Sequence, residues 1–285
     1  MSESFGTLYL VATPIGNLED LSDRAKSTLK SVDLVLAEDT RHSKRLLDHI
    51  GVKTPIQSYH DHNEQQKADQ VCTLLQDGKN IALISDAGTP LISDPGYQLV
   101  KLLHDKGIPV SPIPGPVALI AALSASGLPT DRFTFEGFLP ATGSQRRKKL
   151  TDLLWEQRTL VFYESPHRIK ECLHDMKEIF GGDRLATVCR ELTKRFETVK
   201  QNSLEKLILS LEADSNQSKG EFVLVVHGAE SKQDRETVEI DVGSMLETLL
   251  EQLPVKQAVD ITVKLTGRKR KPLYQLALSI KSAEQ

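Results

Sequence analysis

Three turns rich in glycine and proline constrain this 285-residue chain most: Ala12-Thr-Pro-Ile-Gly-Asn17, Ser85-Asp-Ala-Gly-Thr-Pro-Leu-Ile-Ser-Asp-Pro-Gly96 and Ile113-Pro-Gly-Pro-Val-Ala118. Each directly follows a short apolar run and precedes a helical pattern. In an open α/β sheet, turns that leave the carboxyl ends of parallel strands converge on one crevice. Small residues there let backbone amides and carbonyls touch a bound molecule. Three such turns in one half of a chain predict a small-molecule cleft rather than ordinary chain punctuation.

The apolar runs Leu8–Ala12, Val32–Ala37, Pro55–Tyr59, Ile81–Ile84 and Pro109–Ile113 read as strands. Helical patterns at Leu21–Lys30, Ser43–Ile50, Glu64–Gln76, Tyr97–Lys106 and Val117–Ala125 alternate with them. This predicts an α/β fold whose first domain, residues 1–127, carries a parallel sheet. A second α/β domain is expected over 128–229. Its strands are Phe133–Phe138, Thr159–Tyr163, Ala186–Arg190 and Glu221–His227, and its helices Gln145–Trp155, Ile169–Phe180 and Leu204–Leu211. A polar linker, 229–236, leads to a small helical tail, 237–285, with helices at Gly243–Leu253, Lys256–Leu265 and Lys271–Lys281. The tail is compatible with a helix-turn-helix.

Hydrophobic residues make up 39% of the chain and charged residues 26%, and no apolar run approaches the ~20 residues of a membrane helix. The start, Met1-Ser-Glu-Ser-Phe5, lacks the regions of a signal peptide, which predicts a cytoplasmic protein. Cys72, Cys172 and Cys189 are odd in number and far apart, so reduced thiols are expected rather than disulfides or zinc ligands. The net charge of −3 conceals asymmetry: residues 230–253 carry seven acidic and two basic side chains, 255–281 seven basic and one acidic. Arg268-Lys-Arg-Lys271 and Arg146-Arg147-Lys148-Lys149 are two basic clusters on separate segments. Together they favour a polyanion partner.

The first turn has Gly16 alone where a dinucleotide fingerprint needs three glycines, and no P-loop, zinc-protease or nucleophile-elbow motif is present. What remains is a cleft of backbone and short side chains suited to a zwitterionic, adenosine-like ligand. Asp86 and Thr89 offer polar contacts, and Ile15, Ile92 and Val117 offer apolar walls.

The turns occur in order with Glu38-Asp-Thr-Arg41, Glu136-Gly-Phe-Leu-Pro140, Phe162-Tyr-Glu-Ser-Pro-His-Arg168 and Arg190-Glu-Leu-Thr-Lys194. The set resembles the tetrapyrrole-methylase-like methyltransferases that use S-adenosylmethionine (SAM), and among them the bacterial ribosomal RNA branch. Members of that branch methylate a ribose 2′-hydroxyl of a cytidine in the decoding region of small-subunit (16S) ribosomal RNA. Where the wider superfamily has a Gly-rich first turn, this chain has Thr13-Pro14-Ile15, a departure that fits the RNA branch. The resemblance implies two α/β domains with SAM between them, no metal, a homodimer, and small-subunit RNA or the assembled subunit as partner. Matched motif by motif, it implies donor contacts from Pro14, Ile15, Ser85, Asp86, Ala87, Gly88, Thr89, Ile92, Val117, Ala118, Tyr163, Glu164 and Leu192.

Methylating a hydroxyl needs in-line placement of the oxygen and removal of its proton. Glu38, Asp39, His60, His62, Glu164 and Glu191 are the candidate bases. Arg41 and Arg190 are candidates for activating the hydroxyl electrostatically. Candidate RNA contacts are His60, His62, Arg146, Arg147, Lys148, Arg168, Lys194, Arg268, Lys269, Arg270 and Lys271. Each has a structural alternative: Glu38 and Asp39 can cap a helix, Glu164 can begin one, and Arg190 can pair internally with Glu191 or Glu197. A tetrapyrrole methylase and a non-catalytic RNA-binding protein with a SAM site are the competing functions.

Overall fold

The computed structural model describes residues 5–60, 64–230 and 242–283. His62 therefore lies outside the described residues. The chain divides into two compact units, Met1–Ala229 and Glu230–Gln285.

The first unit holds two five-stranded sheets. Strands β1 (Leu8–Val11), β2 (Leu34–Ala37), β3 (Ile56–Ser58), β4 (Ile81–Ile84) and β5 (Val110–Ile113) are all parallel, in the order β3-β2-β4-β1-β5. Every residue of β2 and β4 is buried, as the continuous apolar runs require when helices cover both faces. Those helices are α1 (Asp23–Ser31), α2 (Thr40–His49), α3 (Glu64–Gln76) and α4 (Tyr97–Asp105). They enclose one core around Leu36, Leu75, Leu83 and Leu99 and another around Val35, Leu29, Leu47 and Ile84.

The next helix, α5 (Ala118–Ala125), follows β5 but packs on the other sheet. Its Leu119, Ala122 and Leu123 join Val161, Cys189, Val223 and Val225 in one cluster. That sheet comprises β6 (Phe133–Phe138), β7 (Thr159–Glu164), β8 (Leu185–Arg190), β9 (Thr198–Ser203) and β10 (Phe222–Val226) in the order β6-β7-β10-β8-β9. Only β6 and β7 are parallel; β10 runs antiparallel to both its neighbours, as β9 does to β8. Helices α6 (Gly143–Asp152), α7 (Ile169–Phe180) and α8 (Leu204–Ala213) contribute Leu150, Ile169, Met176 and Leu207 to the core on its other face. All three cysteines are free and buried.

The second unit is three helices, α9 (Val242–Leu250), α10 (Val255–Thr266) and α11 (Arg270–Ala283), closed around Leu246, Ala258, Val259, Leu273 and Ala277. Gly267 ends α10 in the left-handed conformation, with φ of +64°. Arg268, Lys269, Arg270 and Lys271 are all exposed, and Arg270 pairs with Asp260 at 2.9 Å. No described helix is long and apolar enough to cross a membrane.

Candidate active site

Strands β4, β1 and β5 are neighbours in the first sheet, which is why the three Gly/Pro turns that follow them meet. Thr13 and Gly88 pair as a short antiparallel bridge, with Thr13 N donating to Gly88 O at 2.8 Å and Gly88 N to Thr13 O at 3.1 Å. Thr13 Oγ1 and Ser85 Oγ donate to the carbonyls of Ser85 and Gly88, each at 3.2 Å. Thr89 Oγ1 donates to the Pro116 carbonyl at 3.1 Å and ties the second turn to the third.

Beside these turns lies a cleft of about 300 Å³, within the range of small-molecule sites. Ile15, Ala87, Gly88, Thr89, Ile92, Ser93, Asp94, Val117 and Ala118 line it from the first-sheet turns and the start of α5. Phe138, Tyr163, Glu164, Ser165, Pro166, Cys189, Leu192, Glu221, Phe222 and Val223 line it from the second sheet. Burial pushes the Cys189 thiol up to about 12, helped by the charge of Glu197, so Cys189 is an apolar wall. Tyr163 fixes the far wall: its hydroxyl accepts from Leu119 N at 3.2 Å, and its ring meets Phe135 and Phe138 edge-on at 4.9 and 5.6 Å.

The backbone is strained where the cleft is. Among the described residues, four non-glycines have positive φ, namely Leu91 (+72°), Ser93 (+66°), Glu191 (+52°) and Thr193 (+65°). All four fall in the turn after β4 or the turn after β8. Each costs about 1–3 kcal/mol, and such strain clusters at functional sites. Gly88, at φ +89°, faces Ile15 and the Pro116 carbonyl, so a side chain there would enter the same space. A bulge between Phe135 and Gly137 turns the end of β6 so that Phe138 reaches the cleft half-exposed.

Ten of the thirteen residues expected to touch the donor line this cleft: Ile15, Ala87, Gly88, Thr89, Ile92, Val117, Ala118, Tyr163, Glu164 and Leu192. Pro14, Ser85 and Asp86 do not. Ser85 is buried beneath the turn, and Asp86 Oδ1 accepts from Asp39 N at 3.1 Å, joining the turn to the end of β2.

The expected charged groups have other occupations. Asp39 is the N-cap of α2, accepting from Arg41 N at 2.8 Å and His42 N at 3.3 Å, and these bonds hold its carboxyl below the usual range. Glu38, Arg41 and His60 do not line the cleft. Glu164 lines it, but its side chain is 0% exposed; Oε1 accepts from Ser165 N at 2.8 Å and Oε2 lies 3.4 Å from Arg168. That carboxylate is a buried strut rather than a base facing the cleft. Arg190 is also buried and donates to the carbonyls of Lys219 at 2.6 Å and Phe196 at 3.1 Å, which replaces the expected pairing with Glu191 or Glu197. Glu191 accepts from Lys194 Nζ at 3.0 Å and from Glu221 N at 2.9 Å.

Four of the expected RNA contacts in this unit are likewise engaged. Arg146 is 3% exposed and donates to Asp175 at 2.6 Å, so it is no surface cation. Burial opposes its charge, but the Asp175 partnership outweighs burial and raises its pKa. Arg147 also reaches Asp175, at 3.0 Å, while Lys148 is exposed. Arg168 donates to the carbonyls of Leu139 and Pro140 at 2.6 and 3.0 Å. Lys194 bridges Glu191 and Glu221. The residues overlooked in the sequence include Ser93 and Asp94, inside a turn that the Gly/Pro pattern marks, and Phe138, inside the Glu136–Pro140 motif. Among the described residues no three His, Cys, Asp or Glu side chains gather to hold a metal.

Solved structures share this two-sheet arrangement. Cobalt precorrin-4 methyltransferase superposes with a TM-score of 0.58 at 17% identity, covering 78% of this chain and 94% of that one. Diphthine synthase gives 0.59 at 15% identity, covering 78% and 90%. The uroporphyrin-III C-methyltransferase of Thermus thermophilus, solved with S-adenosylhomocysteine, gives 0.54 at 17% identity, covering 78% and 97%. These likenesses show the fold. The chain belongs to the tetrapyrrole (corrin/porphyrin) methylases, whose family model matches residues 7–208. Within that class, it is similar to proteins named ribosomal RNA small subunit methyltransferase I. That of Pseudomonas aeruginosa is 50% identical, over 96% of this chain and 98% of its own length. That of Xylella fastidiosa (strain Temecula1) is 53% identical over 94% and 98%, and that of Haemophilus influenzae 49% over 98% and 99%. Residues 236–281 match a second model, the RsmI C-terminal HTH domain.

Proposed function

We propose that the cleft binds SAM and that the protein transfers the methyl group to the 2′-hydroxyl of a cytidine in the decoding region of small-subunit ribosomal RNA. The observation that carries this reading is the near-full-length identity of about half to relatives named for that RNA. The cleft supports it independently. Its walls are apolar with a few polar groups, and its size suits a nucleoside-bearing donor. The donor, when bound, supplies an activated methyl group and needs no metal. The chain's own part is to exclude water, to hold the hydroxyl in line, which is worth up to ~7–11 kcal/mol, and to receive its proton.

In this reading residues 1–127 and 128–229 are the two domains around the donor, and 237–285 brings RNA to them. Lys148, Arg268, Lys269, Arg270 and Lys271 meet phosphates, and the enzyme works in the cytoplasm as a homodimer. The experiment is transfer of labelled methyl from SAM, after chelation, to small-subunit RNA, to assembled subunits and to a porphyrinogen, at several salt concentrations. The expected result is label at one cytidine ribose, with RNA affinity falling steeply as salt rises because phosphate contacts release counterions. Label in the porphyrinogen alone would overturn the reading.

A further inference from the structure

We infer that Arg168 is a positioning residue for the acceptor, fixing from behind the Phe138 wall of the cleft against which the incoming nucleoside lies, an inference that rests on the methyl-transfer reading above. Phe138 ends β6, and among the described strands β6 is an edge with β7 as its one neighbour. The bulge between Phe135 and Gly137, with Gly137 at φ +64°, shifts even that pairing just before Phe138. An edge strand leaves one row of its carbonyls and amides without a ladder. Arg168 supplies a partner there: its Nη2 donates to the carbonyls of Leu139 and Pro140, the two residues after Phe138, at 2.6 and 3.0 Å. The same nitrogen lies 3.4 Å from Glu164 Oε2, at the end of β7. One guanidinium nitrogen thus ties the ends of two adjacent strands beside the cleft.

The tie has firm anchors. The amides of Arg168 and Ile169 both donate to the Ser165 carbonyl at 3.1 Å, and Ile169 is wholly buried at the start of α7. Leu139 is buried in the same core as Ile169. Arg168 does not itself line the cleft, whereas Phe138, Glu164, Ser165 and Pro166 around it do. With its Nη2 shared among three protein oxygens, the guanidinium serves the wall and not a phosphate.

Phe138 is the most exposed of the large apolar residues lining the cleft, at 55% against 37% for Ile92. A nucleoside arriving from solvent meets the side that solvent still reaches, and a half-exposed aromatic ring there offers a stacking face for its base. Tyr163 braces that ring edge-on at 5.6 Å. The place of Phe138 therefore depends on β7 on one side and, on the other, on the backbone just past it that Arg168 holds. Transfer needs the ribose oxygen in line with the bond from methyl carbon to sulfur, and a misplacement of about 1 Å costs ~10²-fold. Loosening residues 139–140 would shift the base, and the hydroxyl with it, while the turns of the first sheet that face the donor stay as they are.

Arg168→Ala would strand Glu164 as a buried charge without its cation, so the test uses Arg168→Lys, which keeps a cation near Glu164 on a shorter stem without the planar fork. Arg168→Lys, Phe138→Ala and the double variant are compared with the parent as full-length proteins. Melting reads folding, calorimetry reads SAM affinity, and single-turnover transfer to small-subunit RNA at saturating SAM reads the rate. Arg168→Lys is expected to fold, to bind SAM within about twofold of the parent and to transfer roughly 10-fold more slowly, and Phe138→Ala to transfer roughly 10- to 100-fold more slowly. The double variant should match Phe138→Ala within about twofold, because a wall already removed is not displaced further. Effects that multiply in the double variant overturn the inference, since Arg168 would then act on something other than Phe138. Transfer by Arg168→Lys or by Phe138→Ala at the parent rate overturns it too, as does a loss of SAM affinity or of folded protein that accounts for the slower transfer. A parent that labels no RNA overturns the functional reading, and this inference with it.

Discussion

The two sheets of the first unit face one cleft and use their polar residues in opposite ways. The parallel sheet reaches it with Gly/Pro turns whose contacts are backbone and short side chains, as in the Thr13–Gly88 bridge and the Thr89–Pro116 bond. The mixed sheet and its helices carry buried charges: Arg146 on Asp175, Arg168 on Glu164, and Arg190 on two carbonyls. The first arrangement leaves polar atoms facing an open space. The second consumes them in holding elements together. A charged residue is thus a poorer guide to the cleft here than a glycine.

Breaking the second arrangement should cost stability, and Arg146→Ala is the largest such change. It leaves Asp175 buried with only the half-exposed Arg147 as partner, which should lower stability by about 3–5 kcal/mol. Denaturant unfolding reads this, with SAM affinity of the folded fraction unchanged. A stable variant that lost RNA binding would break the contrast.

Gly88→Val tests the opposite side. A β-branched residue at φ +89°, with its Cβ 3.4 Å from Ile15 Cγ2, carries about 1–3 kcal/mol of strain and fills cleft space. SAM affinity should fall by roughly tenfold or more, measured by calorimetry on folded protein. Unchanged affinity would remove this turn from the donor site.

The smallest expected effect belongs to Glu156, whose carboxyl is held near 2 by the side chain and backbone amide of Arg158. Its folded pKa lies below the ordinary 4.5, so the stabilisation is fully present above about 4.5 and is lost as pH falls toward about 2. The pair is partly exposed, so Glu156→Gln should cost less than about 1 kcal/mol at neutral pH. The gap from the parent should close between those two values in acid unfolding.

The same contrast explains what the sequence disclosed. The strands and helices of the parallel half were legible because apolar runs, caps and Gly/Pro breaks are local signals. The turns at the cleft were legible for the same reason. Strand β9 was not: Thr198-Val-Lys-Gln-Asn-Ser203 is polar and mostly exposed at a sheet edge, so no apolar run marks it. Nor was the use of the charges, because their partners lie far along the chain. Arg146 meets Asp175 29 residues on, and Arg190 meets the Lys219 carbonyl at the same separation. Spacing alone does not reveal such pairs. Asp94 was hidden differently, as one polar residue in a turn read for its glycines and prolines.

Helix α5 bears on how this molecule can be taken apart. It is joined to the last strand of the parallel sheet, yet its Leu119, Ala122 and Leu123 fill the face of the mixed sheet, and its Leu119 amide holds Tyr163. A cut at Gly127 would leave the leading fragment with an uncovered greasy helix and strip the trailing fragment of its lid. Neither half is then a self-sufficient piece for expression or for grafting onto another protein. The place where the chain can be divided without tearing a core is past Ala229.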